Sequence, residues 1–409
     1  VAVHINAFNF PIWGMLEKIA VNLMAGVAAV VKPSEYTSFL TSLMVQEIIN
    51  SNILPDGSLQ LIPGLGRGIL DYVDQRDVVT FTGSAVTGRA LKNNTNIIKN
   101  SVPFNLEADS LNACVLGEDA KPSTAEFNLF IKEVYKEITV KAGQKCTAVR
   151  RILVPENLIE DVQSALVKKL QNTVIGNPDN KEVRMGALAT RVQVERVREN
   201  VELLMKSQDL ICGHINDFKV LDADKDRGAF FPPILFRNNE PFLKEDVHSI
   251  EAFGPVSTLI PYKDIDDAVK IVELGKGSLV TSIVTGNDNI ARDFVLEAAN
   301  MNGRILVLNE RCAKESTGHG SPMPLLTHGG PGRAGGGEEM GGVRGIKHYL
   351  QRTAIQGHPE TITKITQQFQ VGGDQPEANP HVFRKHFEEL KVGETVFTHK
   401  HTVTTADIV

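Results

Sequence analysis

The chain has 409 residues, 42% of them hydrophobic and 22% charged, with a formal net charge of −6. That length suits two or three domains with ordinary cores, and the mildly acidic balance gives no electrostatic reason to expect nucleic acid or an anionic membrane as partner. The four cysteines, Cys114, Cys146, Cys212 and Cys312, are far apart and form no CxxC pair, so neither a disulfide framework nor a metal site is expected.

The chain opens inside an apolar stretch, Val1-Ala2-Val3-His4-Ile5, without an initiator Met. No basic region precedes that stretch, so it does not read as a secretory leader, and no apolar run is long enough to span a bilayer. The expectation is a cytoplasmic protein, of which this chain is a fragment at both ends.

Short Val- and Ile-rich runs at 1–6, 26–31, 59–62 and 78–82 alternate with helical spacing at 14–24, 38–50 and 86–95. Strand alternating with helix predicts a parallel sheet with helices on both faces, and ligands then bind at the carboxyl ends of its strands. A fifth segment, 101–106, ends in Glu107. The pattern predicts a cofactor domain over 1–125 and a second α/β domain over 126–326, with a helix at 158–171, a strand at 279–285 and a helix at 290–299. A Gly-rich return loop and a strand at 349–356 complete 327–356. Residues 357–380 read as a polar linker, and a new domain starts at 381–409.

Chemistry concentrates at the strand exits. Ala142-Gly143-Gln144-Lys145-Cys146 presents a lone thiol after a tight turn; a buried Cys of this kind is more often inert packing. Glu107, at a strand's carboxyl end, suits general-base work, or is a solvated carboxylate. Asn9, before Phe10-Pro11, can donate to an oxyanion, or close an Asx turn. Phe81-Thr82-Gly83-Ser84-Ala85-Val86-Thr87 is a strand, a turn and a helix start whose N–H groups could hold a pyrophosphate, unless Ser84 is simply an N-cap. Glu251-Ala252-Phe253-Gly254-Pro255 sets a carboxylate and an aromatic ring before a rigid turn. The run of glycines at 329–345 lacks GxxxxGK[ST] and reads as a structural, chain-reversing loop.

Taken in order, Asn9-Phe10-Pro11, Lys32-Pro33-Ser34-Glu35, Phe81-Thr82-Gly83-Ser84, Glu107, Gly143-Gln144-Lys145-Cys146 and Glu251-Ala252-Phe253-Gly254-Pro255 resemble the aldehyde dehydrogenase superfamily over residues 1–356. The phrases at 4–11, 107–112, 314–322 and 328–338 are similar to the branch that acts in phenylacetate degradation, in which an aldehyde dehydrogenase half is fused to a MaoC-like hydratase half. Residues 387–393 and 405–409 resemble the opening of that hydratase. The implied fold is two doubly wound α/β domains with an oligomerisation strand, followed by the start of a hot-dog domain.

The resemblance implies Cys146 as nucleophile, Asn9 as oxyanion donor and Glu107 as the base that hydrolyses the thioester. It implies Lys32, Ser34, Glu35, Gly64, Gly83, Ser84 and Thr87 on the adenosine and pyrophosphate side of NADP+, and Glu251 and Phe253 on the nicotinamide side. Glu35 by itself favours NAD, since it would repel a 2′-phosphate unless Lys32 offsets it. The implied substrate is a CoA-linked semialdehyde, oxidised by a homo-oligomer that is at least a dimer. Three rivals stay open. A CoA-acylating dehydrogenase commonly lacks the Glu. A non-catalytic scaffold would not need Asn9, Glu107 and Cys146 together. A thiol hydrolase would pair Cys146 with a His, and no His stands in a recognisable place near it.

Overall fold

A computed structural model of the protein describes residues 1–374. It divides into two units, Val1–Leu350 and Gln351–Val409. In the second, the described part carries one helix, Pro359–Thr366. The expected hydratase opening at 381–409 lies outside the described residues.

The first sheet follows the apolar runs closely. Strands β1 (Ala2–Ile5), β2 (Ala29–Lys32), β3 (Leu59–Leu61), β4 (Val78–Thr82) and β5 (Phe104–Glu107) alternate with helices α1 (Trp13–Met24), α2 (Ser38–Asn50), α3 (Ala85–Lys92) and α4 (Thr95–Lys99). All pairings are parallel, in the order β3-β2-β1-β4-β5. Ala2, Ala29, Val31 and Val79 are fully buried, as strands covered on both faces require. Met15 and Ile19, one helical turn apart, set α1 on one of those faces. His4 points into this core with its ring nitrogens on Thr80 and Asn22, and burial lowers its pKa to about 4, so it is a neutral packing residue. From β1 the chain goes to β2 and β3 on one side and later to β4 and β5 on the other. The exits of β1 and β4 therefore flank a topological switch point, where such sheets open a crevice.

The second sheet contains β6 (Ala113–Leu116), β7 (Arg151–Pro155), β8 (Asp209–Cys212), β9 (Ile234–Arg237), β10 (Val256–Tyr262), β11 (Ser278–Val284) and β12 (Asn302–Leu308). Its order is β12-β11-β6-β7-β10-β9-β8, parallel except for β8 against β9. It thus begins at β6, ahead of the expected boundary at 126, because β6 is hydrogen-bonded between β7 and β11. Helix α5 (Ala125–Thr139) packs on this sheet through Phe130, Ile131 and Val134, beside α6 (Ile159–Gln171).

After β12 the Gly-rich segment returns to the first sheet as a short hairpin, β13 (Thr327–Gly329) and β14 (Glu338–Met340). Gly337 N–H donates to Leu106 O at 3.0 Å, and Ala108 N–H to Ala334 O at 2.9 Å. A Cβ at Gly335 or Gly337 would stand 2.3 or 2.5 Å from Leu106 O, so only glycine allows this approach. The run is a structural return, as the missing GxxxxGK[ST] signature suggested.

The strand expected at 349–356 is not formed. Tyr349 ends a helical turn, and residues 350–356 are exposed without regular structure. A strand needs a neighbour for its N–H and C=O groups, and this segment has none among the described residues. No helix of the described residues is long and apolar enough to cross a membrane.

Candidate active site

The loop that carries Cys146 is held in an unfavourable backbone conformation. Lys141, Ala142 and Gly143 have φ of 54°, 49° and 68°, three successive left-handed residues, of which two are not glycine. Gly143 has no alternative, since a Cβ there would lie 2.2 Å from Gly254 O. Arg150 ties the loop down, donating to Gly143 O (2.9 Å), Lys145 O (3.4 Å) and Gly254 O (2.7 Å). Gln144 donates to Phe253 O and accepts from Ala189 N–H, while Asn112 donates to Cys146 O at 2.7 Å. These bonds aim a half-buried thiol at the crevice of the first sheet.

Two other expected residues meet it there. Asn9, just beyond β1, donates through Nδ2 to Gln144 O at 3.2 Å, which leaves its second amide hydrogen without an acceptor among the described residues, and it lines the same cavity as Cys146. Glu107, the last residue of β5, is buried at 3% exposure and places a carboxylate oxygen within 4.8 Å of the Cys146 sulfur. The Cys146 backbone N–H donates to no described residue.

A fourth residue was not anticipated. His328, on β13, places Nε2 3.3 Å from Glu107 Oε2 and 3.9 Å from Cys146 Sγ. The expectation that no His stands near Cys146 is therefore corrected. The Gly-rich return carries His328 across 182 positions to the nucleophile, and nothing local in the sequence signals that.

These groups set one another's charge. Burial opposes ionisation of Glu107, but His328 and, more weakly, Lys18 outweigh it and hold the carboxyl far below its usual range. Burial likewise opposes a charged His328, yet the Glu107 carboxylate keeps it protonated well above its usual value. Burial and the neighbouring Glu107 push the Cys146 thiol up to about 11, with His328 pulling the other way. The resting group is thus a thiol beside an ion pair. Behind it, Lys18 Nζ lies 3.3 Å from Glu339 Oε1 and donates to Thr82 Oγ1 at 2.8 Å. Burial raises Glu339 to about 8, against the pull of Lys18.

Cys146, Glu107 and Asn9 stand at one part of a cavity of about 870 Å³ that runs along the switch point. Its size falls in the range of small-molecule sites. Lys32, Ser34, Glu35, Gly83, Ser84, Thr87, Glu251 and Phe253 all line it, which brings together every expected residue but Gly64. At that loop the wall is Leu65 and Gly66, and Gly64 has nothing near its Cβ position.

Four details refine the expected contacts. Ser84 is the N-cap of α3, accepting from Thr87 N–H at 3.3 Å, and Asp109 takes the Ala85 N–H, so part of this helix terminus is already satisfied. Glu251 is held by Arg150 Nε at 3.2 Å and by Ser110 N–H at 3.3 Å, and burial raises it to about 7 in spite of Arg150. Phe253 stacks edge-on against Phe8, its ring centroid 5.9 Å away. Lys32 Nζ lies 3.4 Å from Glu35 Oε2, so the two opposite charges expected at the adenosine end already face each other. Asn6, also on the cavity wall, is buried with both side-chain polar atoms unpaired among the described residues. A long, partly apolar crevice with these polar groups fits a dinucleotide lying from Lys32 towards Cys146.

Comparison with known proteins agrees with this geometry. The model of the aldehyde dehydrogenase family matches residues 1–355. The chain is 42% identical over 331 residues to the 3,4-dehydroadipyl-CoA semialdehyde dehydrogenase of Aromatoleum evansii, covering 81% of this chain and 64% of that protein. It is 47% identical over 226 residues to Protein MaoC of Klebsiella aerogenes, covering 55% and 66%. That second alignment is too long to fit after residue 355, so it includes much of the stretch matched by the family model. The chain thus spans a little under two thirds of the length of these relatives. Among solved structures, betaine aldehyde dehydrogenase from Staphylococcus aureus, crystallised with NAD+, superposes with a TM-score of 0.74 at 23% identity, covering 86% of this chain and 66% of that one. An aldehyde dehydrogenase from Pseudomonas syringae, crystallised with NAD+ and octanal, superposes with a TM-score of 0.70 at 23% identity, covering 86% and 67%.

Proposed function

The chain belongs to the aldehyde dehydrogenase family, and we propose that it oxidises an aldehyde to a carboxylic acid through a thioester on Cys146, with NADP+ as acceptor. The observation that carries this reading is the convergence of Cys146, Glu107 and Asn9 at one part of the switch-point cavity.

The aldehyde carbon bonds to the Cys146 sulfur as the thiol loses its proton towards Glu107, whose carboxylate oxygen lies within 4.8 Å of it. Protonated His328, 3.9 Å from the sulfur, favours negative charge there. The oxyanion takes the free Asn9 amide hydrogen and the Cys146 N–H, a pair of donors of the kind whose single loss costs about 3 kcal/mol in the barrier. NADP+, when bound, supplies the acceptor for the hydride whose departure leaves a thioester. Once it has passed on the proton taken from the thiol, Glu107 removes a proton from water as it attacks that thioester and returns it to the sulfur as the acid leaves, which restores the Cys146 thiol. Lys18 and Glu339 behind Glu107 offer a buried path by which the proton from the thiol can move on.

The substrate is a CoA-linked semialdehyde. The similarity to the Aromatoleum enzyme supports that class, and the MaoC similarity with the sequence of 381–409 favours the phenylacetate branch. The substrate there is the semialdehyde from oxepin-CoA ring opening, 3-oxo-5,6-dehydrosuberyl-CoA semialdehyde. A second reading, 3,4-dehydroadipyl-CoA semialdehyde, is favoured by the 42% identity to the enzyme named for it. Assaying both compounds with full-length protein tests this. NADP+ reduction with release of a free terminal carboxylate is expected, faster with the oxepin-derived compound. A new terminal CoA thioester, or no turnover with either, overturns the reading.

The choice of cofactor rests on Lys32 and Glu35. Glu35 is half-exposed, and its carboxyl lies below the usual range through its own backbone hydrogen bond and Lys32, so it is ionised at neutral pH. Glu35→Gln removes one negative charge near the expected 2′-phosphate and frees Lys32. The ratio of kcat/KM for NADP+ over NAD+ is expected to rise about tenfold, and an unchanged ratio places the 2′-phosphate elsewhere.

A further inference from the structure

We propose that Glu107, Cys146 and His328 together form a reversible inhibitory site for one zinc-like divalent cation. The three side chains are those of the proposed reaction, but the site itself does not depend on that reaction.

One ligand atom from each residue, the Cys146 sulfur, a His328 nitrogen and a Glu107 oxygen, lies within 4.8 Å of the other two. His328 Nε2 is 3.9 Å from Cys146 Sγ and 3.3 Å from Glu107 Oε2. Around a tetrahedral zinc ion, with Zn–S about 2.3 Å and Zn–N and Zn–O about 2.1 Å, sulfur and nitrogen stand about 3.6 Å apart, and nitrogen and oxygen about 3.4 Å. These two distances meet those values within a few tenths of an ångström and the sulfur lies within 4.8 Å of the carboxylate oxygen, so a cation can be bound by side-chain rotation.

The backbones are already fixed for it. Glu107 ends β5, the Cys146 loop is clamped by Arg150 and Asn112, and His328 sits in the β13–β14 hairpin. Cys146 and Glu107 both line the cavity, which gives the ion its entry and leaves a fourth coordination position open towards it. One sulfur, one imidazole and one carboxylate select zinc or cobalt over magnesium or calcium. On binding, the thiol and imidazolium protons pass to solvent and no oxidant or reductant is involved. The bound ion occupies both the sulfur that attacks and the carboxylate that takes the proton. The spacing of these residues in the sequence hides such a site from any motif, which is why none was expected.

Cobalt(II) provides a readout that needs no aldehyde. Full-length protein titrated with Co²⁺ is expected to bind one ion per active site with a thiolate-to-cobalt charge-transfer band, which one equivalent of Zn²⁺ displaces and EDTA removes. Cys146→Ser should lack the band, Cys312→Ser should keep it, and His328→Ala should weaken binding at least tenfold. NADP+ binding shows that each variant is folded. A band that persists in Cys146→Ser, or an affinity unchanged in His328→Ala, overturns the proposal, as does the absence of any band. Inhibition of turnover by Zn²⁺, reversed by EDTA, is the functional counterpart. A band without turnover would instead count against the proposed reaction alone.

Discussion

Replacing Cys146 by serine removes aldehyde-dependent NADP+ reduction from the full-length protein, a loss of about 10⁴-fold or more. The magnitude follows from what the sulfur does. In the proposed reaction it is the one protein atom that bonds to substrate carbon, and a hydroxyl is a far weaker nucleophile near neutral pH, with no base arranged to ionise it fully. The substitution changes little else. Serine is close in size, and the anchors of the loop are backbone atoms of Gly143, Lys145 and Cys146, which Arg150 and Asn112 hold without using the thiol. Cofactor affinity is therefore expected to remain near that of the unaltered protein. Retained turnover would remove Cys146 from the chemistry.

Glu107→Gln separates the two halves of the reaction. An amide cannot take a proton from water, so hydrolysis of the thioester should slow by about 10²- to 10⁴-fold. The first turnover is expected to survive as a burst of NADPH close to one per active site, followed by a near stall. The burst itself should be slower than in the parent. In the proposed reaction Glu107 also receives the thiol proton, and it is the anion that keeps His328 charged. Steady turnover at the unaltered rate would assign the hydrolytic base elsewhere.

Much of this was legible in the sequence, for local reasons. Strands β1 to β4 are runs of Val, Ile and other apolar residues long enough for one buried parallel strand each, and their exits had to carry the ligand-facing loops. Asn9, Glu107 and Cys146 each sit directly at such an exit or on a turn that needs glycine, so position in the pattern made them candidates, and the ordered resemblance to the family's motifs singled them out. His328 was not legible, because its role depends on where a Gly-rich return happens to land. Lys18 and Glu339 were missed for the same reason: one looks like a surface lysine of α1, the other like part of a glycine-rich tail, and they become a pair only when β14 packs near α1. The start of the second sheet at β6 was misjudged because β6 and β5 are consecutive apolar segments, and only the pairing of β6 with β7 and β11 assigns it to a different sheet. Residues 350–356 have the composition of a strand, but composition does not supply a neighbouring strand. Ser84 shows the opposite outcome, since the plain N-cap reading and the place on the cavity wall are both correct.

The covalent intermediate is the centre of the proposed chemistry, and mass measurement reads it directly. Glu107→Gln protein mixed with NADP+ and the CoA-linked semialdehyde, then quenched in acid, should gain the mass of one acyl group. After digestion, the peptide that contains Cys146 should carry all of it. Unmodified protein after the NADPH burst, or an acyl group found on Cys114, Cys212 or Cys312 instead, would contradict a thioester on Cys146.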